Sequence, residues 1–597
     1  MQFTGGEIVA QTLVKAQVPY AIGIPGHGSI ALVDAMRKCA DRLSVIQPMH
    51  ESAAVHMADG YYRASGKPLA VFTSIGPGAL NTAIGLATAY VDSTAVLALT
   101  GETHVHMFGV GVLQEVERRS DAANWRVLEP VCKRHFLALQ AGQLPRMLRR
   151  GFSHMLTGRP GPVAIGLPMD VQAQTVEVDL PDVDFDTSQF LPGPEPGAIE
   201  RAADMLHGAQ RPVILVGGGV VASGASEELK QLAEALGAPV VNTMMGMGAF
   251  PADHPLYAWA TGAKATTCGL ALTRDADVIL AVGCRFADET TCSYRDGVAF
   301  SMSKTKLIHV DIDAHEIAKN YPAEIGIVAD ARLALEALAQ SIAARGGPDW
   351  RNSDYFAQIQ DLKGEWARLL AEGRKPGLEP VTISAMLHAA RAALPRDTIV
   401  VSSSGNTQAQ LIQEFPFYEP GTCITTGGFS TMGFTLPATL GAKLARPDRP
   451  VVGIVGDGDF LMHIQELSTA VRYGIPAVFI VANNQGWISI RDLQMAAFGE
   501  QHAYATDFTK DGEVYSPDIA GIASDFGCWS RRVSRADEVT QAIGDALEAR
   551  RPAVIEVMVN RDWPHTGTPA MGWWDVPIPG YMPGAGQYEQ DKRHEGI

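Results

Sequence analysis

The stretch Gly456-Asp457-Gly458-Asp459-Phe460, answered about one helix and one strand later by Asn483-Asn484-Gln485-Gly486-Trp487, constrains this chain more than any other feature. Apolar runs at 451–455 and 477–481 precede the two halves, so each reads as the turn that closes a buried strand. An Asp on a glycine turn followed by an Asn pair is suited to hold a divalent ion against a diphosphate. Mg²⁺ takes oxygen ligands in near-octahedral geometry and usually shares them between protein and phosphate. Asp457 offers a carboxylate, Asn484 an amide oxygen and Gly486 a backbone carbonyl, while Gly458 leaves room for phosphates to approach the backbone. The alternative is two ordinary turns, because short motifs also occur by chance.

A second constellation lies far upstream. His50-Glu51-Ser52-Ala53-Ala54 precedes a helix-like run at 55–64, then Gly66-Lys67-Pro68, a strand at 69–72 and the turn Gly76-Pro77-Gly78. Glu51 is either a helix-start residue favoured by the macrodipole or a carboxylate of the same site.

The rest of the chain frames these motifs. Its 597 residues suffice for about three or four domains. No run of about 18 apolar residues predicts a membrane span. A formal charge of −17 argues against nucleic-acid or anionic-membrane partners, since no basic field attracts phosphate. Residues 1–16 lack the pattern of a secretory leader, and seven scattered cysteines without a CxxC pair support neither a disulfide framework nor a zinc site. A reduced, cytoplasmic setting is expected.

Three blocks follow one another. Residues 1–179 alternate amphipathic helices with short apolar strands such as 95–100 and 163–167, which predicts a parallel sheet flanked by helices. A Pro- and Asp-rich stretch at 180–197 reads as a linker. The second block, 197–345, carries strands at 212–216, 278–282 and 307–310. A polar stretch at 346–376 leads to the third block, 376–564, with strands at 398–402, 451–455, 477–481 and 553–557. The expected fold is α/β, three doubly wound parallel-sheet domains in series. The tail, 565–597, is Pro- and Trp-rich with no helical period; Trp573 and Trp574 suggest either a lid over the site or docking to a neighbouring subunit.

The chain resembles the acetolactate synthase group of thiamine diphosphate (ThDP) enzymes across nearly its whole length. The resemblance rests on His50-Glu51, Ala58-Asp59-Gly60-Tyr61, Arg63-Ala64-Ser65-Gly66-Lys67-Pro68, Gln114-Glu115, Gly158-Arg159-Pro160-Gly161-Pro162, Gly283-Cys284-Arg285-Phe286, Thr431-Met432-Gly433-Phe434 and the Asp457–Asn484 motif. It implies a pyrimidine-binding, a central and a diphosphate-binding domain in that order. It also implies ThDP with Mg²⁺, and a homodimer or homotetramer whose sites lie at the subunit interface. By this resemblance Glu51 bonds the pyrimidine N1′, and Met432 supports the bent cofactor. Asp457, Asn484 and Gly486 hold the metal. Gly405, Asn406, Ser430, Gly458, Asp459 and Gly78 are candidates for the cofactor contacts, since N–H groups at glycine turns and helix starts suit anions.

Departures from the family pattern bear on the reaction. After Gly23-Ile24-Pro25-Gly26, where the synthases usually continue with Gly, the chain has His27, either a proton carrier for the substrate or a turn residue. Gln114 keeps a substrate-pocket position, whereas Met169 replaces the usual Lys. His104 and His106 alternate as a strand would place them, on one face, and read as polar surface or as a pair with a metal or catalytic role. In the central block, where the family usually binds FAD, Gly217-Gly218-Gly219 reads either as a nucleotide loop or as close strand–helix packing. FAD, an ADP- or CoA-type nucleotide, or nothing all stay open there. The expected activity is making or breaking a C–C bond beside a carbonyl, most like an acetolactate synthase acting on a 2-oxo acid. The runner-up is a non-decarboxylating lyase or hydrolase of the 2-hydroxyacyl-CoA or cyclic-diketone kind, and the third reading is a non-catalytic subunit.

Overall fold

A computed structural model describes residues 1–116, 124–183, 186–562 and 575–593. Each block builds one six-stranded sheet whose ladders are all parallel. Central strands such as Leu97–Glu102, Val278–Val282 and Val478–Asn483 are buried along their whole length, which requires helices on both faces.

In the first sheet the strands lie in the order Ser44–Ile46, Tyr20–Gly23, Ala70–Thr73, Leu97–Glu102, Val163–Pro168, Arg134–Leu137. The third sheet runs Cys423–Thr425, Ile399–Ser402, Val451–Gly456, Val478–Asn483, Ala553–Met558, Trp529–Val533. Numbered within their blocks, both read 2-1-3-4-6-5. The central sheet reads 3-2-1-4-5-6, the order of many dinucleotide-binding folds.

The first and third domains share a continuous apolar core that includes Leu86, Val455, Phe460 and Phe479. Their join is made by the helices that follow the second strand of each sheet, Glu51–Ser65 and Thr435–Ala445. A Cβ at Gly60 would lie 2.1 Å from the Ala438 carbonyl oxygen, and one at Gly441 would lie 1.8 Å from that of Met57. Only glycine lets the two backbones come so close.

Three local expectations are corrected. The polar stretch at 346–376 contains a 20-residue helix, Asp354–Gly373, whose Ile359 and Trp366 are fully buried; the indole Nε1 of Trp366 donates to the Gln413 carbonyl at 3.0 Å. His104 and His106 do not lie on a strand. The strand ends at Glu102, and His106 sits in the 3₁₀ turn Val105–Met107, its ring 5.5 Å from that of His104. The tail is not uniformly irregular, since Ala585–Lys592 is helical. Trp573 and Trp574 lie outside the described residues, but the amide of Asp575 donates to Ser293 Oγ at 3.0 Å, so the next part of the tail docks on the central domain of its own chain. No helix among the described residues is long and apolar enough to cross a membrane.

Candidate functional site

Parallel sheets present ligand sites at the carboxyl ends of their strands. At the end of Val451–Gly456 the chain turns into the short helix Asp457–Leu461. The Asp457 carboxylate is buried, and its Oδ2 accepts from the amides of Gln485 (2.8 Å) and Gly486 (3.3 Å). Burial pushes its pKa up to about 6 against those donors, so a nearby cation would be welcome. The neighbouring strand ends at Asn483, and Gln485, at φ 61°, reverses the chain. One terminal atom of the Asn484 amide lies 3.2 Å from the Gly486 carbonyl oxygen and 3.3 Å from Asp457 Oδ1. As nitrogen it donates to both. As oxygen it completes a cluster of three oxygens with no proton between them, an arrangement a divalent cation satisfies.

Around this cluster lie the other third-domain candidates. Gly405 opens the helix Gly405–Glu414 at φ 84°, with open space where a side chain would stand. Asn406 Nδ2 donates to Asp492 Oδ2 at 3.4 Å. Ser430, also at positive φ, meets Ser404 through their hydroxyls at 3.1 Å. Met432 is half-buried on the same loop. Asp459 turns its side chain inward. It accepts from the Gly433 amide at 2.6 Å and from the Ser403 hydroxyl, tying three strand-end loops together. Gly458 needs correction in its reason: a Cβ there would lie 2.3 Å from the Trp487 ring, so the indole fills the space expected for phosphates.

The first-domain candidates gather at the carboxyl edge of the first sheet. Glu51 is the first residue of its helix, half-buried, and its Oε2 accepts from Asn81 Nδ2 at 2.9 Å. Gly78 faces it: a Cβ there would lie 3.1 Å from Glu51 Oε1. His27 opens the 3₁₀ turn His27–Ser29 and is exposed; the turn is pinned by the Gly28 amide, which donates to Ser74 Oγ at 3.1 Å. Gln114 is exposed at φ 72°, its carbonyl against Gly76. Met169 starts the short helix Met169–Ala173.

Among the described residues, no hydrogen bond joins Glu51 to Asp457, Asn484 or Gly486. The Glu51 turn is instead held by third-domain residues that sequence reasoning missed. Tyr473 Oη accepts from the Gln47 amide at 2.9 Å, Glu466 accepts from the Met49 amide at 3.0 and 3.1 Å, and His463 Nε2 lies 2.8 Å from Ser52 Oγ. A polar His-x-x-Glu shortly after the Gly-Asp-Gly turn, leading into the short helix Glu466–Arg472, is the signal that points to them.

Three family models match the three sheet-bearing blocks: thiamine pyrophosphate enzyme, N-terminal TPP binding domain, over residues 3–123; central domain, over 199–338; and C-terminal TPP binding domain, over 403–557. The chain is 34% identical to a probable acetolactate synthase large subunit of Methanocaldococcus jannaschii over 93% of this chain and 92% of that protein. It is 33% identical to the acetolactate synthase isozyme 3 large subunit of Escherichia coli, covering 92% and 93%. The chain belongs to the acetolactate synthase family of thiamine pyrophosphate enzymes. Its cofactor is thiamine diphosphate. Within this family member the central glycines have a packing explanation. A Cβ at Gly217 would lie 2.0 Å from the Gly283 carbonyl oxygen, and one at Gly219 would lie 2.7 Å from Gly283 Cα. They carry no independent argument for a nucleotide.

Proposed function

We propose that this chain catalyses acetolactate synthase-type carboligation, in which a 2-oxo acid loses CO₂ and its acyl fragment joins a second carbonyl. The observation that carries the reading is the cluster of Asp457 Oδ1, the Asn484 amide and the Gly486 carbonyl, in a chain similar along almost its full length to proteins named acetolactate synthase large subunits. That full-length similarity favours carboligation over the non-decarboxylating lyase or hydrolase.

The donor set fits Mg²⁺: one buried carboxylate, one amide oxygen and one carbonyl leave positions for phosphate oxygens and water. The amides that open Gly405–Glu414 and Asp457–Leu461, with the Ser430 hydroxyl, suit the diphosphate. When bound, ThDP supplies a carbanion centre at its thiazolium C2 that adds to a carbonyl. Glu51 holds and returns the proton at the pyrimidine N1′, and Gly78 keeps the space before its carboxylate clear. Met432 would set its polarizable side chain against the bound cofactor. By the family resemblance His27 and Gln114 belong to the substrate side of the first domain, His27 as a proton carrier.

Two copies of the chain complete the site, the Glu51 edge of one meeting the Asp457 edge of the other, in a homodimer or homotetramer. Exposed apolar residues adjoin the site residues on both edges: Ile30, Met49, Ile84 and Leu113 on the first domain, Met462 and Ile490 on the third. Exposed apolar side chains beside the site suit a protein interface. Seven free cysteines suit a reducing, cytoplasmic setting.

The deciding experiment loads the purified protein with ThDP and Mg²⁺ and follows pyruvate. CO₂ release with acetolactate or acetoin formation is expected. Absent CO₂, with the cofactor bound and Glu51-dependent exchange of its C2 proton intact, overturns the reading.

A further inference from the structure

We propose that His463 and Glu466 of the third domain are positioning residues for Glu51, setting the aim of its carboxylate from outside its own domain. The proposal rests on the role given to Glu51 above.

Glu51 follows the turn 47–50 that links the strand Ser44–Ile46 to the helix Glu51–Ser65, so its aim depends on how that turn is held. The first domain supplies the His50 ring, whose Nδ1 lies 2.7 Å from Ser52 Oγ and 3.2 Å from the Ser52 amide, and the Asn81 bond to Glu51; the third domain adds more. Tyr473 Oη takes the Gln47 amide, and Arg472 reaches the Gln47 carbonyl at 3.3 Å and its side-chain oxygen at 2.9 Å. Both Glu466 oxygens take the Met49 amide, two residues before Glu51. Glu466 is fully buried and further held by the Thr469 hydroxyl at 2.6 Å, which leaves it little freedom to follow a moving turn.

His463 acts on the other side of Glu51. The Gly433 carbonyl, 2.6 Å from Nδ1, can only accept, so Nδ1 carries a proton. Burial keeps the ring neutral, and Nε2 therefore accepts from the Ser52 hydroxyl at 2.8 Å. One imidazole thus links the residue after Glu51 to the residue after Met432. Met49 and Ser52, which flank the catalytic carboxylate, are both bonded to one segment, 463–473.

The arrangement has a counterpart that shows it is a device of the fold. The loop carrying Ser430 and Met432 follows the second strand of the third sheet, as the Glu51 turn follows the second strand of the first. That loop is held by first-domain side chains: Asp92 Oδ1 accepts from the Gly428 amide at 2.8 Å, and Thr88 and Thr431 share a hydrogen bond of 2.7 Å. Each domain fixes the other's cofactor loop.

The test uses the full-length protein with Glu466→Ala, Glu466→Gln, His463→Ala and Ser52→Ala, beside Glu51→Gln. Two readouts are taken: backbone amide deuterium uptake of peptides covering 47–52 without cofactor, and exchange of the C2 proton of bound ThDP, with ThDP affinity measured alongside. Glu466→Ala and His463→Ala are expected to speed deuterium uptake in 47–52 and to slow C2 exchange by about tenfold or more, leaving ThDP affinity within about threefold. Glu466→Gln, whose amide oxygen still accepts from Met49, is expected to restore most of the rate. Ser52→Ala removes one hydroxyl and no volume to speak of, so it reports even if a larger truncation fails to fold. The double variant Glu51→Gln/Glu466→Ala is expected to exchange no more slowly than Glu51→Gln. Normal C2 exchange in Glu466→Ala, His463→Ala and Ser52→Ala, with Glu51→Gln slow, overturns the positioning role alone, as does a further slowing in the double variant. Fast exchange in Glu51→Gln overturns the role of Glu51 and the positioning role with it.

Discussion

The first and third domains share one strand order and differ in what stands at the strand ends. After the second strand the first domain places Glu51, and the third places Met432. After the third strand the first has Ser74 to Gly78, and the third has Asp457. The fourth strand of the first sheet ends on Glu102, that of the third on Asn483. On the proposed function, the same scaffold bears a proton-handling edge in one copy and a cation- and phosphate-binding edge in the other. Topology chooses where a site can form; the residues on a few turns choose its chemistry. The central sheet, wound in a different order, supports both edges from outside: Met245 Sδ accepts from the Gly427 amide at 3.0 Å on the loop that leads to Met432, and Arg285 donates to the Val91 carbonyl at 2.9 Å.

The comparison is broken most severely by exchanging the two kinds of carboxylate failure. Glu51→Gln should lower turnover by about 10²–10⁴-fold while ThDP still binds, measured by C2 exchange and calorimetry. Asp457→Ala should instead weaken Mg²⁺-dependent ThDP binding by more than about 100-fold, and chelation of the metal should mimic it in the unaltered protein. If both variants fail in the same readout, the division of labour between the domains is wrong. Mixing the two inactive variants sharpens the point. Where subunits exchange, a hybrid pair has one site built from an intact Glu51 and an intact Asp457, so activity should return to roughly a quarter of normal; no recovery in demonstrably mixed dimers argues that each chain builds its own site.

His27→Ala tests whether the first edge carries a second proton-handling group. Turnover is expected to fall by about tenfold with ThDP affinity unchanged, and a rate within about twofold of normal returns His27 to a turn residue.

The smallest effect concerns Glu102. It is 1% exposed, and burial raises its pKa from 4.5 to about 8 despite bonds from Thr100 and Asn124 and with Glu115 adding to the rise. The folded protein therefore binds this proton more tightly than the unfolded chain does. Stability from this group is fully present below about 4.5 and is lost as pH climbs to about 8. Glu102→Gln should flatten the decline of the unfolding free energy across that window, by up to about 1.4 kcal/mol per pH unit. An unaltered slope would show that Glu102 is ionised in place.

Much of this was legible in the residues. Uniformly apolar runs such as 212–216 and 278–282 coincide with Pro212–Val216 and Val278–Val282, because a strand buried on both faces leaves no choice of period. The helix Asp354–Gly373 was not legible, because it turns few large apolar residues inward among polar ones and its buried stripe is narrow. His104 and His106 were misplaced because alternation implies a common face only while the strand lasts, and it stops at Glu102.

Local chemistry determined the turns themselves: which strand ends carry Asp457, Asn484 and Glu51, and that glycines must sit where backbones or ligands approach. Tertiary structure alone decided what those turns touch. That Gly458 is glycine for the Trp487 ring, that Asp459 faces inward, and that Glu51 is aimed by His463 and Glu466 are contacts between residues far apart in the chain. No periodicity or spacing encodes such contacts: the first two arise only when the strands of the third sheet line up side by side, and the last only when two separately folded sheets pack against each other's loops.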